Sequence, residues 1–70
     1  MKTKYQVGDI VEWQIIYTND YIAYGIGKIL WVVSTVGLQY DLSDGCWVPE
    51  NKIIRKLTDS EAFLWMMENL

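Results

Sequence analysis

The residues able to carry out acid–base, nucleophilic or metal chemistry are few in this chain. It has no histidine, one cysteine, and nine Asp and Glu residues that are scattered over turns and caps. General acid–base catalysis usually depends on a histidine or on a pair of perturbed carboxyl groups, and zinc sites are built from sets of Cys and His. The sequence therefore predicts no catalytic residue, no metal and no cofactor, and we expect a protein that is not an enzyme.

The single cysteine, Cys46, also lacks an activating neighbour. A nucleophilic cysteine needs a nearby base or cation, whereas the adjacent charge here is Asp44. We interpret Cys46 as a small hydrophobic side chain, and an unpaired cysteine favours a reducing compartment such as the cytoplasm. No apolar run reaches the roughly 18 residues needed to cross a bilayer, and the first residues reach Asp9 before any apolar run. We expect neither a membrane span nor a signal peptide.

Aromatic side chains suggest binding instead. The chain of 70 residues is 51% hydrophobic and 14% aromatic, with four Trp and five Tyr. A chain of this length forms one domain, residues 1–70, whose core is small. Some rings should therefore lie at the surface for a partner to cover, unless the core is unusually rich in Trp. Tyr17, Tyr21 and Tyr24 flank the turn at 18–20 in a predicted hairpin-like loop, residues 14–24. Alternatively, these rings fold back over the end of the sheet.

The charge balance argues against nucleic acid. Six Lys and Arg against nine Asp and Glu give a net charge of −3, whereas phosphate binding needs concentrated positive charge. The only cluster is Lys52, Arg55 and Lys56. We interpret it as a solvated edge strand whose charges discourage edge pairing.

Hydrophobic periodicity predicts a mainly β fold. Alternation over residues 7–15 and 38–43 is typical of half-buried strands, after a polar lead-in at residues 1–6. Residues 26–33 are apolar on both faces, with Gly27, Ile29, Trp31 and Val33 expected on one of them, so another element should cover the second face. Gly25 and Gly27 are expected to permit a bulge or bend. A hairpin turn at 44–45, a strand ended by Pro49, a 3₁₀ turn at 50–52 and a last strand at 53–57 complete the pattern.

The C-terminal segment, residues 58–70, predicts a helix. Thr58 and Glu61 form a capping-box pattern. At about 100° per residue, one apolar stripe contains Ala62, Phe63, Met66, Met67 and Leu70. We expect this helix to pack on the strands at residues 1–57 or to lie at an interface, where Phe63, Trp65 and Met66 would make a homodimer contact.

Four short motifs carry a resemblance to a known fold. Small SH3-like barrels of the Tudor and KOW type are similar to this chain at Val7-Gly8-Asp9, at the segment GIGKI (25–29), at Tyr40-Asp41-Leu42 and at the segment WVPEN (47–51). The resemblance implies a five-stranded antiparallel barrel followed by the helix. SH3 domains that bind proline-rich peptides have a tyrosine where this chain has Lys52, so the resemblance does not imply polyproline binding.

These observations predict a small acidic regulatory or accessory protein that binds a protein partner, as in viral or mobile-element genes. We expect the binding surface to combine Tyr17, Tyr21 and Tyr24 with Trp47 and Lys52. The alternatives are a homodimer formed through the helix and a KOW-like binder of nucleic acid or of the transcription complex.

Overall fold

A computed structural model describes residues 3–34 and 37–69 and forms one five-stranded antiparallel sheet with a C-terminal helix. The elements are β1 (Ile10–Thr18), β2 (Tyr21–Val33), β3 (Gln39–Leu42), β4 (Trp47–Pro49), a 3₁₀ turn (Glu50–Lys52), β5 (Ile53–Lys56) and α1 (Asp59–Glu68). The strand order is β4-β3-β2-β1-β5. The predicted mainly β class, the five antiparallel strands and the C-terminal helix are confirmed. A closed barrel is not, because within the described residues β4 and β5 are the two open edges of the sheet.

The first half of β2 pairs with β1, and its second half pairs with β3. The predicted hairpin turn is confirmed at Asn19 and Asp20, but the rest of the predicted loop at 14–24 is a two-stranded ribbon that continues β1 and β2. The backbone N–H of Asp20 donates to Thr18 Oγ1 at 3.2 Å. A shift in register between Ile16 and Thr18 adjusts the strands to this turn.

A bulge in β2 changes which of its side chains point to the core from those that the sequence predicts. Ile29 pairs with Leu42, but Trp31 pairs with Asp41, so Leu30 is an extra residue on this strand. Because one extra residue exchanges the two faces of a strand, Val32 takes the inward position that the simple alternation predicts for Trp31. Val32 packs against the core, while Leu30 and Trp31 are 49% and 65% exposed.

The core consists of ten buried apolar or aromatic side chains. They are Tyr5, Ile10, Val11, Trp13, Ile29, Tyr40, Leu42, Val48, Ile53 and Leu57. The presence of Tyr5 corrects the prediction of a polar lead-in. Its ring meets the edge of the Tyr40 ring at a centroid distance of 5.8 Å, and its backbone N–H donates to the Tyr40 hydroxyl at 3.3 Å.

Gly25 and Gly27 allow close packing. The bulge predicted for them is absent from their pairing with β1, whose register is regular from Ile10 to Ile16. Neither has a positive φ. A Cβ at Gly25 would lie 2.9 Å from Trp13 Cζ2, and one at Gly27 would lie 3.1 Å from Leu42 Cβ. The two glycines therefore let Trp13 and Leu42 approach the backbone of β2 from the core side.

The helix begins at the predicted capping box. Glu61 N–H donates to Thr58 Oγ1 at 3.3 Å, and Thr58 N–H donates to Glu61 Oε1 at 3.0 Å. No residue of α1 is buried. Of the predicted apolar stripe, Phe63, Met66 and Met67 are exposed, Ala62 is half-buried, and Leu70 lies outside the described residues. The helix covers only the start of the second face of β2. Trp65 shares two clefts with the half-buried Ile26, whereas Leu30 and Trp31 remain uncovered.

Candidate functional site

Exposed apolar side chains are the most prominent feature of this surface. Fourteen large hydrophobic residues in the described part of the chain are at least 43% exposed, against ten that are buried. Isolated exposed hydrophobic residues are normal, but contiguous groups mark binding surfaces. Eleven of the fourteen fall into three groups, which lie on the β1–β2 ribbon, on α1, and on the outer face of β2, β3 and β4. The other three are Val7, Leu30 and Ile54.

The first group, which we name the apolar ribbon, lies at the far end of β1 and β2 and consists of Ile16, Tyr17, Tyr21, Ile22 and Tyr24. Ile16 and Ile22 are opposite each other in the register. The rings of Tyr17 and Tyr21 meet edge to face at a centroid distance of 5.1 Å. Each of these five side chains is more than half exposed. The structure thus brings the three predicted tyrosines onto one ribbon and leaves their rings accessible. Because side chains alternate along a strand, Tyr24 lies on the opposite face of the ribbon from Tyr17 and Tyr21.

Tyr24 also belongs to a polar network that fixes the base of the ribbon. Its hydroxyl donates to Glu12 Oε2, and this hydrogen bond is the main cause that raises the pKa of Tyr24. Glu12 Oε1 accepts from Arg55 Nε at 2.9 Å. Arg55 also donates to both carboxylate oxygens of Glu61, at 2.7 and 2.9 Å. Because Glu61 belongs to α1, the network ties the helix to the sheet.

The paired arginine changes the acid–base behaviour of Glu61. The hydrogen bonds from Arg55 are the largest cause that lowers the pKa of Glu61 to about 2, and hydrogen bonds from Thr58 add to the effect. The same pairing raises the pKa of Arg55. Lys56 is also paired, with Nζ 3.3 Å from Asp9 Oδ1. Of the predicted cation cluster, Lys52 alone has no ion pair among the described residues.

The second group, which we name the helix surface, consists of Phe63, Leu64, Met66 and Met67, which are 43–61% exposed. The predicted dimer residues Phe63 and Met66 belong to it. The third, Trp65, is half-buried and lines a cleft of about 310 Å³ between α1 and the sheet together with Tyr24 and Leu64. Leu64 and Tyr24 share this cleft, so the helix surface continues into the apolar ribbon.

The third group, which we name the tryptophan row, consists of Trp31, Asp41 and Trp47 on neighbouring strands. Asp41 pairs with Trp31 on one side and with Trp47 on the other. Trp47 is a predicted site residue. Trp31 is not among the predicted partner-binding residues, and it gains its outward position beside Asp41 through the bulge at Leu30. The nearest sequence signal is the run of apolar residues on both faces at 26–33.

The structure does not combine the predicted residues into one surface. Tyr21 and Trp31 are ten positions apart in β2, which is roughly 33 Å of strand length. The molecule itself measures 35 × 32 × 18 Å. Trp47 therefore belongs with Trp31 at one end of β2, and the tyrosines lie at the other end. Lys52 is exposed in the 3₁₀ turn.

The groups able to do other chemistry have structural partners. Tyr40 is fully buried; its burial, with the hydrogen bond that it donates to Glu50 Oε2 at 2.6 Å, raises its pKa to about 12. Cys46 is a half-buried free thiol that packs against the core. Burial, with the nearby Asp44, raises its pKa, which disfavours the reactive thiolate.

Within residues 3–34 and 37–69, no three His, Cys, Asp or Glu side chains group as metal ligands. The only helix of that part of the chain, α1, is too short and too polar to cross a bilayer. Comparisons with protein-family models, with curated proteins and with solved structures found no match.

Proposed function

We propose that this chain is a non-enzymatic protein-interaction module that binds a protein partner through exposed aromatic side chains. The observation that carries the proposal is the excess of large exposed hydrophobic residues over buried ones. Tyrosine and tryptophan are enriched at protein interfaces, because they offer a large contact area at a low entropy cost and carry a polar group.

The apolar ribbon is the main contact in this proposal. A two-stranded ribbon is marginally stable in water by itself, so a partner that covers it would stabilise it. Tyr17, Tyr21 and Tyr24 are 56–62% exposed, which makes roughly 350 Å² of aromatic surface if a full tyrosine has about 200 Å². A stable interface buries about 800 Å² on each side. The partner must therefore enclose the ribbon. It would contact Tyr17 and Tyr21 on one face, and Ile22, Tyr24 and the adjoining helix surface on the other.

The assignment of the chain to a fold family is also a proposal. We infer an SH3-like domain of the Tudor or KOW type, and the strand order together with the 3₁₀ turn directly before β5 supports it. The acidic balance and small size favour a regulatory or accessory protein of the cytoplasm, with a viral or mobile-element gene as its proposed origin. Nucleic acid is the less favoured partner, because Arg55 and Lys56 are already paired with carboxylates.

The test is affinity capture from lysate of the source cells with variants of the ribbon. Changing Tyr17 and Tyr21 together to Ser should abolish capture of a partner that the unchanged chain retains, because both rings leave the contact. Val7→Ser is the matched control, since Val7 is 60% exposed and lies outside the ribbon. Circular dichroism verifies that each variant is folded. A partner that binds the double variant and the control equally well would refute the ribbon as the contact.

A homodimer is the second candidate, favoured by the exposure of Phe63, Met66 and Met67 on a helix with no buried residue. In that case light scattering gives twice the chain mass, and changing Phe63 and Met67 together to Ser yields a monomer. A chain ending at Leu57 should also be monomeric. A full-length monomer, or a dimer that survives both changes, excludes the helix as the dimer contact.

A further inference from the structure

One side of β2 is an open strand edge along its first half. The N–H of Ile29 donates to the carbonyl oxygen of Asp9 at 2.8 Å, so the odd-numbered residues of β2 direct their backbone groups towards β1. The even-numbered residues direct theirs to the other side, where Lys28 exchanges two hydrogen bonds with Ser43. Pairing with β3 begins only at Ile29, so the strand before Lys28 has no neighbour on this side among the described residues.

The open edge presents a regular row of backbone groups that nothing in the described chain binds. The N–H and C=O groups in this row belong to Ile22, Tyr24 and Ile26. The register with β1 is regular from Ile22 to Lys28, so these groups are evenly spaced along the edge. A regular row of unpaired N–H and C=O groups is a template for the addition of another strand.

The other edges of the sheet have features that oppose strand addition. Two cations lie on β5, and β4 is three residues long and ends at Pro49. The open end of β1 is interrupted by the shift in register between Ile16 and Thr18. Charges, prolines, short strands and bulges are the means by which proteins block edge pairing. The segment of β2 from residue 21 to 27, with the sequence YIAYGIG, contains no charge and no proline.

This edge is complementary to a second copy of itself. In an antiparallel arrangement centred on Tyr24, Ile22 lies opposite Ile26 of the second copy, and the two Tyr24 residues lie opposite each other. Each of these pairs exchanges two hydrogen bonds, so every unpaired group in the row gains a partner. Their side chains meet on one face, where apolar and aromatic cross-strand pairs stabilise a sheet. A cleft of about 310 Å³, lined by Ile26 and Trp65, adjoins this edge and can receive Ile22 of the second copy.

The same arrangement brings opposite charges together at both ends of the contact. Asp20, in the turn directly before β2, comes to lie beside Lys28 of the second copy, and the two-fold symmetry repeats this contact. Neither residue has an ion pair in the described part of the chain. No charged residue lies between them in the sequence, so two acidic chains can approach along this edge without like charges facing each other.

We propose that this chain forms a homodimer in which the β2 edges of two copies, residues 21–28, pair with each other. A continuous sheet then runs through β5, β1 and β2 of one copy into β2, β1 and β5 of the other. This contact differs from the dimer through α1. It also leaves both faces of the apolar ribbon accessible to a protein partner. Because the paired segment is short, it buries less than the roughly 800 Å² per side of a standard interface. We therefore expect a dissociation constant between about 1 µM and 1 mM.

The experiment is a measurement of backbone amide exchange with solvent in the ¹⁵N-labelled full chain by NMR. Spectra are compared at about 50 µM and about 1 mM, where the expected dissociation constants change the monomer fraction by about 2- to 4-fold. The amides of Ile22, Tyr24 and Ile26 should exchange more slowly by the same factor at the higher concentration. The amides of Ala23 and Gly25 face β1 and serve as internal references.

Two charge variants test the register of the contact. Asp20→Lys places two cations together at each end, and Lys28→Glu places two anions there, so each variant should dimerise at least about 2-fold more weakly. Asp20→Lys also brings the net charge closer to zero, which by itself would favour association. A mixture of the two variants restores opposite charges at both ends. Unlabelled Lys28→Glu should therefore restore slow exchange at the edge of labelled Asp20→Lys.

Three results would overturn the edge dimer. They are a full chain that sediments as a monomer at 1 mM, edge amides whose exchange does not depend on concentration, and a mixture that associates no better than the single variants. Loss of the dimer on changing Phe63 and Met67 to Ser, with edge amides that exchange rapidly throughout, would assign the contact to α1. Protection that appears only when a captured protein is added would show that the edge binds a strand of that protein. Failure of the capture experiment leaves the edge dimer unaffected, because that experiment concerns the side chains of Tyr17 and Tyr21.

Discussion

Gly25→Ala should destabilise the fold, because the added methyl group would collide with the indole of Trp13. The Cβ would lie 2.9 Å from Cζ2 and 3.0 Å from Cε2 and Nε1, whereas carbon atoms in favourable contact are about 3.5–4.0 Å apart. The ring must therefore move by roughly 0.5–1 Å. Trp13 is only 5% exposed and belongs to the core cluster, so it has little room. Moving it also disturbs the hydrogen bond that Nε1 donates to Asp44 Oδ2 at 3.2 Å.

The expected loss of stability in Gly25→Ala is the balance of two opposing effects. Overfilling a packed core costs about 1–3 kcal/mol. Replacing glycine by alanine recovers about 0.4–1 kcal/mol, because the unfolded chain has less freedom to lose. The net loss should be about 1–2 kcal/mol, which lowers the midpoint of thermal unfolding by roughly 4–16 °C in a domain of this size. Gly27→Ala, where the nearest contact is 3.1 Å, should be milder.

A double-mutant cycle measured by urea unfolding tests this reasoning. In a Trp13→Leu background the smaller side chain leaves space for the new methyl group, so Gly25→Ala should cost less there or become stabilising. The coupling between the two changes is expected to exceed 0.5 kcal/mol, as for residues in direct contact. An equal cost of Gly25→Ala in both backgrounds would refute the collision. A stabilising effect in the unchanged chain would do so as well.

Two further predictions concern buried and paired polar groups. Tyr40→Phe should cost about 1.5–3 kcal/mol in urea unfolding, because it removes the hydrogen bond to the Glu50 carboxylate and leaves Tyr5 N–H without its acceptor. Burial raises the pKa of Tyr40 from 10.0 to about 12, so the free energy of unfolding should fall as the pH rises through that window. Tyr40→Phe should not show this fall. If the stability of both proteins depends on alkaline pH in the same way, the prediction is wrong. The pKa of Glu61 falls from 4.5 to about 2 in the fold, so the stabilisation of α1 is present above pH 4.5 and is lost as the pH falls towards 2. Far-UV circular dichroism should show this loss of helix as the pH falls. Arg55→Gln should move the midpoint of the acid transition to a higher pH. A midpoint that does not move would show that the ion pair does not stabilise the helix.

Local chemistry made most of the fold predictable. The capping box at Thr58, the 3₁₀ turn at 50–52 and the alternation over 38–42 each depend on neighbouring residues, and all three appear where expected. Tyr5 could not be predicted in the same way. Its burial depends on Tyr40, which is 35 positions away in the sequence, and no local pattern identifies that contact.

The bulge at Leu30 shows why the candidate site was predicted only in part. A run in which every residue is apolar reads equally well in either register, so it does not show where an extra residue enters the strand. The pairing with β3 decides this, and it turns Trp31 outward beside Asp41. The tyrosines were easier to predict, because Asn19 and Asp20 mark the turn that places them at the end of the ribbon.

The arrangement of exposed side chains separates binding from folding in this chain. Its buried cluster combines Tyr5 with side chains of all five strands, and it uses neither the apolar ribbon nor the tryptophan row. Variants on these surfaces should therefore remain folded and report on binding alone. Binding should nevertheless affect stability, because a partner that binds only the folded state raises the free energy of unfolding of this chain by mass action. A small core leaves a modest margin of stability, so the midpoint of thermal unfolding should rise clearly when the true partner is added. A ribbon variant that has the same midpoint without the partner should lose that rise. A rise of equal size in the ribbon variant would show that the partner binds elsewhere.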